Sequence, residues 1–598
     1  MKKIGALLLL AALGVGAWLW SLEPWPTDSY RFDGVEGPDR PSVVAPPVPL
    51  RLDAVGGGTN RLAVLVTDPD ADWMGLVRGF KAHGVPAIFT ASPSKALRHQ
   101  VVIAYPSISG KVLPKAAIQA LAQHIRGGGT LLTTDLAGGG LEELFGIEGQ
   151  TPGRQHSLIR WAGSAAGEDA ITRFSSDRAE VRIGSLTIAP TTAEVVGRFE
   201  DGAPAAVCRR VGGRACILGV DPGSIAQRAM NGRAELFSPG FVNTYQPSMD
   251  VLFRWLRDLY VAGEDDPYLI GTAPAGYEGS LILTHDVDSA RSVANAAVYA
   301  EAIRRAGASA TFFIQTKYVR DWNDEIFFDD ANLPALKRVA QGMEIGSHSV
   351  SHARAFKAFP LGSGDERYPR YQPFVQSRNT VRGGSVFGEL RVSKFLLDRL
   401  LGGEVRSFRP GYLAYPETLP EALAATGYRY SSTLTANNAQ THLPFQLSLG
   451  RSGRGLLPVW EFPVTIEDEK QPRLGDRLEA AVSVIDRIAR HGGVAVVLIH
   501  PDITGHKLAF ERQLIARMRR RLWIVPMGTF GDWWRARDLA EIDYDGQSLQ
   551  VAAPATLNGL QILFPKRSPA SVTLDQIKGR QTVPLALATS RARAAQSR

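Results

Sequence analysis

Apolar and polar positions along this chain switch repeatedly between a strand-like and a helix-like spacing. From Arg61 the run RLAVLV predicts a strand, Trp73 to His83 a helix and HQVVIAYP a strand. Leu113 to Arg126 then reads as a helix and GGTLLTTD as a strand. Strand–helix alternation implies a parallel sheet covered by helices. Two apolar runs around Gly212-Gly213 predict a β-hairpin, and a helix from Pro247 to Leu259 closes this first unit. A second series starts near Tyr268, with strands SLILTHD, SATFFIQ, MEIGSHS, VRSFRP, YRYSST, GVAVVLIH and WIVPMGTF. Helical spacing between them covers Ala294–Ala306, Phe387–Leu401, Glu417–Thr426, Arg477–Arg490 and Leu508–Arg521. Repeated β–α units with chemistry at the strand ends predict a barrel-like closed sheet whose site lies at the C-terminal rim. Beyond Ala540 the pattern shortens to SLQVAAP, GLQILFP and TVPLALA, a small β-domain, and the tail TSRARAAQSR predicts disorder.

Length and composition change this picture little. The 598 residues require several domains, and 44% hydrophobic with 21% charged residues is ordinary globular composition. The net charge of +8 is spread along the chain rather than blocked, which argues against a nucleic-acid partner. The N-terminus adds more. Lys2 and Lys3 precede an apolar stretch from Ile4 to Leu22, a membrane segment read as a signal anchor or a cleaved signal peptide. Either reading exports the rest, to the periplasmic face of the inner membrane or to the periplasm. Residues 23–58, rich in Pro and then Gly, predict a linker. Cys208 and Cys216, the two cysteines, flank the hairpin turn and are either a cross-strand disulfide or two small buried residues.

Four short segments carry chemistry: THDVDS, HSVSH, FRPGY and LIHPD. On a strand, Asp286 and Asp288 share one face while His285 and Val287 share the other. His348 and His352, four apart, can meet one metal ion, and with a carboxylate they make a hard-to-borderline cation site. Arg409 precedes a Pro-Gly turn and can hold a carboxylate by paired hydrogen bonds. His500 ends a wholly apolar strand, where it can act as an acid. In the first unit no Cys or Ser nucleophile follows a strand at a sharp turn, and Gly138-Gly139-Gly140 lacks a dinucleotide-binding spacing. That unit reads as a non-catalytic accessory domain.

The order and spacing of the four segments resemble the NodB-type polysaccharide deacetylases, carbohydrate esterases that remove N- or O-acetyl groups from sugars. The resemblance covers about Gly279 to Leu539. It implies a distorted (β/α)7 barrel binding one divalent metal, usually zinc, with cobalt, manganese or nickel as alternatives. Carried over residue by residue, Asp288, His348 and His352 are metal ligands, Asp286 the base and His500 the acid. Arg409 orients Asp286, and the backbone at Tyr412 helps hold the oxyanion. Trp460 is expected to line the cleft. Two departures stand out: the family's adjacent aspartates are split by Val287, and no motif supplies a carboxylate partner for His500, for which Asp502 or Glu461 are the expected residues. The first half similarly resembles flavodoxin-like, amidotransferase-type domains.

These readings divide the chain into 1–22 (anchor or signal), 23–58 (linker), 59–262 (flavodoxin-like accessory domain), 263–540 (deacetylase domain), 541–590 (β-domain) and 591–598 (tail). The implied partners are an acetylated poly- or oligosaccharide, the membrane, and a polysaccharide-synthesis complex. In the segment between His352 and Phe387, Tyr368, Tyr371 and Phe374 are expected to stack on sugar rings, and Arg367 and Arg370 to meet an acidic glycan. Two other readings compete: a two-His-one-carboxylate iron oxygenase, and a non-catalytic polysaccharide-binding or assembly protein with a decayed site.

Overall fold

The computed structural model describes residues 28–46, 50, 52–53, 57–136, 138–174, 183–231, 243–322, 325–377, 379–449 and 455–585. The apolar segment 1–22 and the tail 591–598 fall outside them. Among the described residues no helix is long and apolar enough to cross a membrane.

The strands that carry the four motifs are β1 (Gly279–Val287), β2 (Thr311–Ile314), β3 (Glu344–Ser347), β4 (Ser407–Phe408), β5 (Tyr430–Ser431), β6 (Leu456–Glu461) and β7 (Val494–Ile499). Neighbours pair in parallel from β1 through β6, and β7 lies parallel on the other side of β1. The ring closes where the chain leaving β6 meets β7. There the Thr465 and Ile466 N–H groups donate to the Val496 carbonyl at 2.9 and 3.1 Å. The result is a barrel of seven β-positions. Around it run α1 (Ala290–Arg305), α2 (Leu333–Ala340), α3 (Val386–Leu397), α4 (Leu419–Ala425), α5 (Leu478–Ala489) and α6 (Gly505–Met518).

Alternation along β1 explains its fully buried run. Leu281 and Leu283 face the helices beside Ile303 and Ile515, while Ile282 packs with Phe313, Phe462 and Val496. Each such side chain contributes roughly 1.5–3 kcal/mol on burial. A last helix, α7 (Met527–Leu539), plugs the opposite end. The Met527 and Gly528 N–H groups donate to Thr311 and Glu344, the first residues of β2 and β3, at 2.8 and 2.7 Å. With the floor sealed, the mouth at the strands' C-terminal ends is where chemistry can meet solvent.

Four details differ from the sequence expectation. The segment WIVPMGTF forms only a short strand, Leu522–Ile524, beside the start of β1, before α7 begins. The barrel position it was expected to fill belongs to Leu456–Glu461, whose Pro458 hides the strand pattern. The C-terminal region is two long strands, Ser548–Leu563 and Ser571–Pro584, with Glu541–Tyr544. They add Leu269–Pro274 to their sheet and share a core with Phe530, Trp533 and Trp534 of α7. Finally, residues 28–42 of the expected linker dock on the barrel. Tyr30 N–H donates to the Tyr318 carbonyl at 2.7 Å, Phe32 is buried in the barrel's helix-side core, and Arg391 reaches Ser42 Oγ at 2.6 Å.

In the first unit the strands run Ala87–Thr90, Leu62–Val66, Val101–Ser107, Thr130–Asp135 and Gly213–Leu218, all parallel. That order is the doubly wound one of flavodoxin-type sheets, extended by antiparallel strands from Pro204–Val211 outward. Both faces are covered, so its strands are continuously apolar. In the hairpin, Cys208 and Cys216 are direct cross-strand partners and form a disulfide.

Candidate active site

The barrel mouth gathers the motif residues because each follows or ends a parallel strand. Asp286 lies in β1 and Asp288 just beyond it, His348 follows β3, Arg409 follows β4 and His500 follows β7. Alternation turns His285 outward, where its ring stacks on Phe312 at 4.3 Å and faces Glu511 of α6 at 3.1 Å.

Asp286 is fixed on one side. Its Oδ1 accepts from Arg409 Nη1 at 2.8 Å. The same guanidinium also donates to Thr284 Oγ1 and Ser432 Oγ, each at 2.8 Å, and lies over the Phe313 ring at 4.5 Å. Burial pushes the Asp286 carboxyl up, but Arg409, then His348 and His500, hold it below the usual carboxylate range. The free oxygen, Oδ2, lies 3.8 Å from His348 Nε2.

His348 is oriented by its backbone partner. Its Nδ1 donates to the Arg409 carbonyl at 2.7 Å, which fixes the tautomer that leaves the Nε2 lone pair free. That Nε2 is buried and has no hydrogen-bond partner among the described residues. His352 Nε2 lies 3.8 Å from Asp288 Oδ2, and its ring is 4.8 Å from that of His348. Burial and the neighbouring His348 push His352 down to about 4, and burial also lowers His348. Both rings are neutral at neutral pH, as metal ligands must be.

Among the described residues no group of three or more His, Cys, Asp or Glu side chains is drawn together as a ready metal cage; the approach is pairwise. The donor set nevertheless fits a divalent cation. His352 Nε2 faces Asp288 Oδ2 across 3.8 Å, a spacing that ligand bonds of about 2.0–2.2 Å can bridge, and the His348 ring lies 4.8 Å from that of His352. The orphaned Nε2 of His348 is otherwise a costly buried polar atom.

The glycine of FRPGY has a steric reason. A Cβ at Gly411 would come within 2.5 Å of the His352 ring. Next to it Tyr412 adopts φ 57°, is 49% exposed and sets its ring 5.0 Å from that of His352.

His500 has a carboxylate partner that sequence reasoning missed. Its Nδ1 donates to Asp468 Oδ1 at 2.8 Å, and its backbone N–H donates to Asp468 Oδ2 at 2.7 Å. Lys507 holds the same carboxylate at 2.7 Å. Burial disfavours the charged ring, but Asp468 overcomes it and raises His500 to about 10. Asp468 itself, against the same penalty, is held well below its ordinary value by His500 and Lys507. The second nitrogen, Nε2, lies 3.9 Å from Asp288 Oδ2, on the cation side.

Both expected partners of His500 are therefore corrected. Asp502 pairs with Lys507. Glu461, buried and pushed up to about 7 by burial, accepts from the Thr433 and Leu434 N–H groups at 2.6 and 2.8 Å. Trp460 does not line the mouth: its indole donates to Asp538 of α7, on the barrel floor, at 2.9 Å. Tyr368 and Tyr371 are buried and cannot stack on a sugar, because Tyr368 bonds the backbone of Phe32 and Tyr30 and Tyr371 bonds Glu389. Phe374 is part-buried at the start of a short hairpin strand. Arg367 pairs with Asp39 of the docked N-terminal segment at 2.7 Å, while Arg370 stays exposed.

Residues 275–431 match the family model for polysaccharide deacetylases. Over this stretch the chain carries a polysaccharide deacetylase domain match. Similar solved structures include a putative polysaccharide deacetylase from Mycobacterium smegmatis, with 17% identity, a TM-score of 0.34 and coverage of 45% of this chain and 95% of that one. A family 4 carbohydrate esterase from Streptomyces lividans, in complex with acetate, shares 18% identity at a TM-score of 0.25, over 41% of this chain and 92% of its own. A family 4 pseudoenzyme from Bacillus anthracis shares 16% identity at a TM-score of 0.26, over 42% and 65%. No curated protein matches the chain. The deacetylase match ends at β5, so Asp468 and His500 lie beyond it.

Proposed function

We propose that the chain is a metal-dependent deacetylase that hydrolyses N-acetyl or O-acetyl groups of an extracytoplasmic polysaccharide. One observation carries the reading: at a single barrel mouth, Asp286 is held ionised by Arg409, while His500 is held protonated by Asp468. A carboxylate kept as a base opposite an imidazolium kept as an acid is what ester or amide hydrolysis needs.

Asp288, His348 and His352 would hold the cation, with zinc the first choice for two imidazoles and a carboxylate. When bound, such an ion polarises the acetyl carbonyl and makes a water acidic. The protein's own groups do the rest. Asp286 Oδ2 is the oxygen left free to take a proton from the attacking water. His500 Nε2 is the donor left free to protonate the departing amine or alkoxide, since its Nδ1 is committed to Asp468. The exposed ring of Tyr412, beside His352, offers a face to the sugar.

Export is part of the proposal, supported by the apolar segment after Lys2-Lys3 and by the Cys208–Cys216 disulfide, which persists in an oxidising compartment. A second reading, a non-catalytic polysaccharide-binding protein, draws on the split aspartates and on the pairwise rather than gathered ligands. Acetate release from acetylated glycan oligomers, compared between wild type and Asp286→Asn, separates the two. Release by the wild type alone supports the enzyme, and equal absence in both supports the binding protein.

A further inference from the structure

The loop between the two histidines is held in a backbone conformation that its residues do not favour. Ser349 sits at φ 65° and His352 at φ 50°, left-handed values that non-glycine residues adopt only when their surroundings insist. The carbonyl side is fixed by the residues just after β2: Thr316 N–H donates to the Ser349 carbonyl at 3.0 Å, and Gln315 Nε2 to the Val350 carbonyl at 3.2 Å. On the amide side Ser347 Oγ and Ser349 Oγ accept from the Ser349 and His352 N–H groups at 3.4 and 3.2 Å, and the two amides between them share one acceptor. Glu389 Oε2 accepts from both Val350 N–H and Ser351 N–H, each at 2.8 Å.

Glu389 is an unusual residue for that place. It lies near the start of α3, is fully buried, and has no Lys, Arg or His within salt-bridge distance among the described residues. An unpaired carboxylate there is costly unless its hydrogen bonds are worth keeping. Its position is not explained by helix capping, because the N-cap is Ser385 and a capping-box glutamate would stand three residues on, where Gly388 stands. Gly388 instead makes room: a Cβ there would come within 2.0 Å of the Tyr371 ring. That ring fits against the helix and donates its hydroxyl to Glu389 Oε1 at 2.9 Å.

We propose that Glu389, propped by Tyr371, is the positioning residue that fixes the backbone between His348 and His352 and so aims both imidazoles at one cation. The inference rests on the metal-site reading above and assigns a task to the long segment before α3. Tyr371 reaches inward from that segment to the ligand loop, where solvent and substrate do not meet it.

The test is the affinity of the full chain for Zn2+ and Co2+, read by chelator competition, alongside circular dichroism to score folding. Glu389→Ala should weaken binding about 10- to 100-fold, the usual cost of losing a partner that orients metal ligands. Glu389→Gln should recover most of it, because one amide oxygen can still accept both loop N–H groups. Tyr371→Phe should fall between wild type and Glu389→Ala, and it decides the matter should Glu389→Ala fail to fold. Wild-type affinity in folded Glu389→Ala, or in Tyr371→Phe if that is the variant that folds, would overturn the assignment. Failure of the wild type itself to bind a divalent cation would instead remove the metal-site reading beneath it.

Discussion

His500 and Asp468, 32 residues apart, meet at 2.8 Å across the barrel mouth, and the contact favours the protonated form of a buried imidazole. Burial alone would favour its neutral form. In the metal-free protein, an NMR titration should therefore find His500 protonated through neutral pH, deprotonating near 10. In Asp468→Asn burial is opposed only by the more distant Asp288 and Asp286, and the ring should titrate well below its wild-type value. An unchanged titration in that variant would remove Asp468 from the acid's machinery.

The same contact links pH to stability. Since the folded His500 value is raised above its unfolded value of about 6.5, its contribution is complete below ~6.5 and is lost as pH rises toward about 10. Melting temperatures of the metal-free protein should fall across that window in wild type. In Asp468→Asn that part of the slope should shrink, because only Asp288 and Asp286 still favour the charged ring; a slope of the same size would contradict it.

The two aspartates should separate cleanly. Asp286→Asn should retain bound metal while turnover drops by ~10²–10⁴-fold, the range for a lost general base. Asp288→Asn should release metal. Metal analysis and acetate release on the same preparations check both, and the reverse pattern would exchange the roles across Val287.

Gly411→Ala should displace His352, because its new Cβ would meet the imidazole at 2.5 Å. Weaker metal binding with little change in melting temperature is the expected result. Wild-type metal affinity would mean that His352 is not a ligand.

Much of the deacetylase region was legible because motif and strand end coincide: THD, GSH, SFRP and LIH each pair an apolar strand with a polar residue at its exit. Asp468 was not, since it follows the irregular run Val464–Ile466 that closes the barrel, and the acid it serves enters on a different strand. Trp460 misled for a related reason. A tryptophan beside a glutamate looks like a cleft wall, yet α7, whose first residues fall within the run WIVPMGTF that the pattern predicts as a strand, seals the floor on that side. For Tyr368 and Tyr371 the local signal is an aromatic-rich long loop after a barrel strand, which points to a sugar platform. Their burial depends on docking of residues 28–42 and on Gly388, tertiary facts with no local signature.

The most direct test of the whole account is a titration of metal-free wild type with Zn2+ while acetate release from N-acetylated glucosamine oligomers is followed. Activity should rise in proportion to added metal and break at one equivalent, with no such response in His348→Ala. Stoichiometric metal binding without acetate release from N- or O-acetylated glycans, or release that is the same in His348→Ala, would contradict it.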